Sequence, residues 1–71
     1  MNIQAIRERV AHVKKLVDRK DYEAAHSEED KLHQEVMMHT ATNRYLTAPE
    51  IRDMMRAALL TRDIQFARYC G

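Results

Sequence analysis

Glycine and proline occur once each in this 71-residue chain, and tryptophan not at all. Without the residues that make tight turns, bulges and flexible linkers, the sequence argues for helices and against sheets. A single glycine also leaves no phosphate-cradling loop. The one cysteine, Cys70, has no partner for an intrachain disulfide, and it points to a reducing, cytosolic setting. No apolar run approaches the ~18 residues of a membrane span. The opening MNIQAIRERV lacks the basic-then-apolar order of a signal peptide. The expectation is a cytoplasmic protein with no membrane partner, made of one domain. Such a short chain buries only ~60% of its unfolded surface, and chains of this size commonly rely on disulfides, a metal or self-association.

What is present is charge, unevenly spread. Residues 1–20 carry six Lys/Arg and two Asp/Glu, giving +4. Residues 21–40 carry one Lys and six Asp/Glu, giving −5. Residues 41–71 carry five Arg and three Asp/Glu, giving +2. Adjacent blocks of opposite sign suit two antiparallel helices, although each exposed pair contributes only a few tenths of a kcal/mol.

Three helices are expected, as an antiparallel hairpin plus a long third helix. The first runs from Ile3 to Arg19 behind an Asn2 cap, with Ile3, Ile6, Val10, Val13 and Val17 on one stripe. Its basic residues read as a solvated face. Glu8 and Asp18 interrupt them and no aromatics interleave, so nucleic acid is not an expected partner. DRKD, 18–21, is a turn, and Asp21 caps a second helix from Tyr22 to about His39. A later start at Ser27 is the competing reading. Thr47-Ala48-Pro49-Glu50 is a capping box that opens the third helix. Ile51, Met54, Met55, Ala58, Leu59, Phe66 and Tyr69 form its main apolar arc, while Leu60, Ile64 and Ala67 lie opposite. Apolar residues on two sides point to self-association through this helix. The alternative is a break near Thr61 that turns the last segment back to the core.

Two charged residues fall in the middle of apolar arcs, Glu29 on the second helix and Arg62 on the third. Each costs several kcal/mol if buried alone and much less when paired through bidentate hydrogen bonds. A Glu29–Arg62 ion pair is therefore expected. His26, Glu29 and His33, spaced three and four apart, share a helical face and are the competing metal-ligand set. Three side chains of one helix rarely converge on an ion without a ligand from elsewhere, so neither a metal nor another cofactor is expected. No nucleophile–base pair appears, because His26 and Ser27 diverge on the helix and Cys70 has no fixed base beside it. Met37, Met38, Met54 and Met55 read as core filling or as an adaptable binding face, and Met38 points away from the arc.

Two segments carry a resemblance. Ala24-Ala25-His26-Ser27, followed by Glu29-Asp30 and Leu32, resembles an AHSxEDxL pattern in short proteins encoded by bacteriophages and prophages. Thr61-Arg62-Asp63-Ile64-Gln65-Phe66-Ala67-Arg68-Tyr69 resembles the TxxIxFARWY ending of the same group, with Tyr69 in place of tryptophan. The resemblance implies a phage origin and no particular activity. Together with the absence of catalytic features, it leads us to expect a non-enzymatic binding protein that inhibits a host protein, defence proteins included, in the host cytoplasm. His26, His33, Met38, Leu60 and Ile64 are candidate contact residues. A second possibility is an oligomer that sequesters a small ligand or nucleotide at a subunit interface, where Arg44 and Tyr45 are also candidates. A DNA-binding regulator is the third, against which the acidic second helix argues.

Overall fold

The computed structural model describes residues 1–68. They form three α-helices, α1 (Ile3–Asp18), α2 (Tyr22–Thr42) and α3 (Ala48–Leu59), and a 3-10 turn at Leu60–Asp63. No strand occurs among the described residues.

The helix starts follow from local side-chain chemistry. The Asn2 side chain accepts from the Ala5 N–H at 2.8 Å, and Asp21 accepts from Ala24 at 3.3 Å. At α3, Thr47 Oγ1 accepts from the Glu50 N–H at 3.3 Å while Glu50 Oε1 accepts from the Thr47 N–H at 3.2 Å. Each cap satisfies an amide that the first turn leaves unpaired, a contribution of about 1 kcal/mol. The second helix passes through Ser27 without interruption and runs past His39 to Thr42. Its last turn contains Thr40 and Thr42, whose hydroxyls donate to the Val36 and Met38 carbonyls at 2.9 and 2.8 Å. Back-bonding of this kind lets Thr40 be buried without an unsatisfied hydroxyl.

The core draws on all three helices. Ile6, Leu32, Val36, Met54, Ala57 and Ala58 make one cluster, with Ile3, Val10 and Leu46 packed against it. Two alanines in sequence bring α3 close to its neighbours. Between α1 and α2 the oppositely charged blocks meet: Arg9 hydrogen-bonds Glu35 and lies 4.0 Å from Glu28.

The expectation of a long third helix is corrected. α3 stops at Leu59, tightens into the 3-10 turn, and becomes extended at Ile64 (φ −81, ψ 120). The reason lies in the carbonyls. A continuing helix would satisfy the Thr61 and Ile64 oxygens with amides four residues on, whereas the 3-10 turn gives the Thr61 oxygen the Ile64 N–H at 3.1 Å. Here the Arg68 guanidinium donates to both, at 2.8 and 3.0 Å. Thr61 is fully buried, and its hydroxyl donates to the Ala58 carbonyl at 3.2 Å. The break leaves Ile64 and Phe66 half-buried, while Leu60 stays exposed. Tyr69 of the expected arc and Cys70 lie outside the described residues.

The α1–α2 turn has one strained residue. Lys20 adopts φ 63, the left-handed region that favours glycine. It does so because α1 ends in a Schellman motif: the Asp21 N–H donates to Leu16 O and the Lys20 N–H to Val17 O, both at 2.9 Å. Lys20→Gly is expected to stabilise the fold by about 1 kcal/mol. Thermal melting should then rise by roughly 4–8 °C, and an unchanged or lower midpoint would show that the turn carries no such strain.

Candidate functional site

Glu29 occupies a core position of α2 at 1% exposure. Its carboxylate is held side-on by Arg68, with Nε donating to Oε1 at 2.8 Å and Nη2 to Oε2 at 3.1 Å. The same Nη2 reaches the Thr61 and Ile64 carbonyls. One guanidinium therefore ties α2, the 3-10 turn and the extended tail together. Its carbon sits 3.9 Å from the Phe66 ring centroid, and Phe66 stacks on Tyr22 at 6.4 Å. This geometry suits arginine and not lysine, because it uses a planar fork and a stacked face at once.

His33 closes the other side. Its Nε2 lies 3.1 Å from the Ala58 carbonyl and 2.9 Å from Thr61 Oγ1. A carbonyl only accepts, so this nitrogen carries a proton and donates. Burial alone pushes the Glu29 carboxyl up. The Arg68 hydrogen bond, the Thr61 hydroxyl and the charges of Arg68 and His33 outweigh that effect and hold the carboxyl below its ordinary value of 4.5.

The expected Glu29–Arg62 pair is thus corrected to Glu29–Arg68. Arg62 lies in the 3-10 turn and is exposed. The pairing of Glu29 with Arg62 assumed one continuous helix through Thr61. Once the chain leaves the helix, the arginine that returns to Glu29 is six residues later. Arg68 and Thr61 are the residues that sequence reasoning missed as partners. Both stand in the ending that carries the phage resemblance, which was the one available signal.

No protein-family model, curated protein or solved structure matches this chain. What its surfaces do has to be read from their chemistry.

Beside His33 the surface opens into an apolar groove of about 230 Å³ between α2 and α3, lined by His33, Val36, Met37, Met55, Ala58 and Leu59. Met37 is 64% exposed and Leu59 55%. His33 is shared, holding Thr61 on one side and forming groove wall on the other. Its wall contains no arginine or tyrosine. Arg44 and Tyr45 instead lie in the loop before α3, stacked on each other at 5.6 Å, with Tyr45 fully in solvent reach at 83% exposure. His26 is half-buried and pairs with Asp30 at 3.6 Å. Met38 lies outside the groove, on a shallow exposed surface with Lys31, Gln34 and Glu35. Leu60 lines a separate hollow against α1, and Ile64 packs half-buried in the tail. Among the described residues, no group of three or more His, Cys, Asp or Glu side chains is placed to hold a metal ion.

Removing one partner of a buried pair strands the other charge, at a cost of 3–5 kcal/mol when both are fully buried. The Arg68 side chain is 19% exposed, so Arg68→Ala should cost about 3 kcal/mol in chemical denaturation. Arg62→Ala should change stability by less than about 0.5 kcal/mol. The reverse ranking would remove the Glu29–Arg68 assignment.

The pair also predicts an acid dependence. A carboxyl depressed in the folded state stabilises fully above its unfolded value and loses that contribution as pH falls through the folded value. The melting-temperature gap between the native protein and Glu29→Gln should be widest at neutral pH and shrink below about pH 4.5. A gap that stays constant into strong acid would contradict this account.

Proposed function

We propose that this protein acts by binding another protein, without catalysis, and that the groove between α2 and α3 is its contact surface. The observation that carries the reading is the convergence of Met37, Met55 and Leu59, all exposed, on one open apolar groove. Methionine walls adapt to the shape of an inserted apolar side chain. Half-exposed chains of this size each add about 1 kcal/mol when covered, before the costs of association. The groove follows two helices, which suits an amphipathic helix laying one apolar anchor between them. The resemblance to short phage-encoded proteins supports a host protein as the partner, with occupation of its surface, and hence inhibition, as the consequence in the host cytoplasm. Counter-defence is one setting for such an inhibitor. In this reading α1 and α2 form an antiparallel hairpin that supports the groove from behind, and the Arg68 lock keeps His33 and Ala58 in its wall.

The test is a comparison of captured partners. Tagged native protein, Leu59→Glu, Met37→Glu and a control altered on the far face of α1, Lys15→Glu, are expressed in a bacterial host, and bound proteins are identified by mass spectrometry. The same host protein should come with the native chain and the control and be lost, more than about tenfold, from both groove variants. All variants should keep their helical circular-dichroism signal. Retention of that host protein by the folded groove variants, or a bound small molecule in native mass spectrometry, would overturn the proposal.

A further inference from the structure

The opposite side of α3 carries a second surface, distinct from the groove, whose Ala57 and Ile3 border the core. Asp53, Arg56, Ala57 and Leu60 line a hollow of about 290 Å³ against Ile3 and Arg7 of α1. Leu60 is 46% exposed there. Asp53, Arg56 and Arg7 are all exposed, and among the described residues none of the three takes part in an ion pair. Charges of both signs thus border one depression with no ion-pair partner among the described residues.

Their order along the helix is informative. Pro49, Asp53, Arg56 and Leu60 follow one another at spacings of four, three and four, which keeps them on one side of the helix. This pattern reads the same in both directions about its centre, between Met54 and Met55. The chemistry is also complementary about that centre, with an acid against a base and an apolar ring against an apolar side chain. A two-fold axis crossing α3 at this point brings each residue opposite its complement in a second copy.

We infer that this face pairs with a second copy of the chain, α3 against α3 in antiparallel contact. Asp53 of each copy meets Arg56 of the other, and Leu60 of each covers the first turn of the other at Pro49. Ile3 and Arg7 of α1 flank the contact on each side. A contact built on one helix and its flank falls in the small, transient class of interfaces. The dimer therefore forms reversibly with concentration and weakens with salt, since its specificity is ionic. It leaves both α2–α3 grooves open, one on each copy.

Sedimentation velocity over a wide concentration range tests it. The native chain should move from monomer to dimer as concentration rises. Asp53→Arg and Arg56→Asp each place like charges opposite one another and should weaken association at least about tenfold. The double variant Asp53→Arg/Arg56→Asp restores the complement with signs exchanged and should recover most of the native association. The substituted positions are exposed, and circular dichroism checks that each variant folds. A native chain that stays monomeric at the highest concentration overturns the inference. So does a dimer that both single variants leave intact, a double variant that is no better than the singles, or a dimer abolished by Leu59→Glu and insensitive to Asp53. The last result would move the contact to the α2–α3 groove.

Discussion

A carboxylate in the middle of an apolar face decides where the end of this chain goes. Glu29 is buried at 1% exposure on the core side of α2. Left ionised and unpaired it would cost several kcal/mol, a large share of what so small a core supplies. The fold meets that demand by ending α3 at Leu59 and returning Arg68 to the carboxylate. Several features follow from this one requirement. The Thr61 carbonyl, which keeps a 3-10 bond from the Ile64 amide, and the Ile64 carbonyl are both taken by the same guanidinium. Phe66 is placed over that guanidinium and against Tyr22. His33, donating to Ala58 and Thr61, fixes the point where the helix ends.

Part of this was legible in the sequence, and the division follows the range of the interactions. The helix starts were legible because capping chemistry is local: Asn2, Asp21 and Thr47 each act within three residues of themselves. The core position of Glu29 was legible because helical periodicity holds through α2 without interruption. The end of α3 was legible only as the alternative, a break near Thr61, because nothing between Leu59 and Arg68 is a strong breaker. No glycine or proline stands there, and the stop is imposed by a tertiary hydrogen-bond network. Extrapolating helical periodicity past that point put Arg62 in the arc, where the fold puts it in solvent. Arg62 and Arg68 are chemically equal in the sequence. Only the path of the backbone tells them apart.

The groove was partly legible as well. The methionines stood out in the sequence, but periodicity favoured Met38 as the outward one, whereas Met37 is also largely exposed and forms the groove wall with Met55 and Leu59. A residue at the border of an apolar arc turns inward or outward according to how closely the next helix approaches. Small side chains at Ala57 and Ala58 bring α3 in low against α2, so the border residues stand above the contact and not within it.

The two exposed surfaces of α3 differ in chemistry, and the two proposed partners differ with them. The side facing α2 is apolar and walled by flexible side chains, with no charge in its lining apart from what His33 brings. A surface of that kind selects an occupant by shape more than by charge. The side facing α1 has acid and base in fixed order beside one exposed leucine. Misaligned charges are costly, so such a surface accepts few partners and selects register. A second copy complements it residue for residue in the proposed pairing, because its order is symmetric about its centre. The proposed groove for another protein and the proposed stripe for self-pairing thus lie on one twelve-residue helix. The helix needs only to keep its two sides apart, and its buried row does so, with Ala57 lining the hollow and Ala58 the groove.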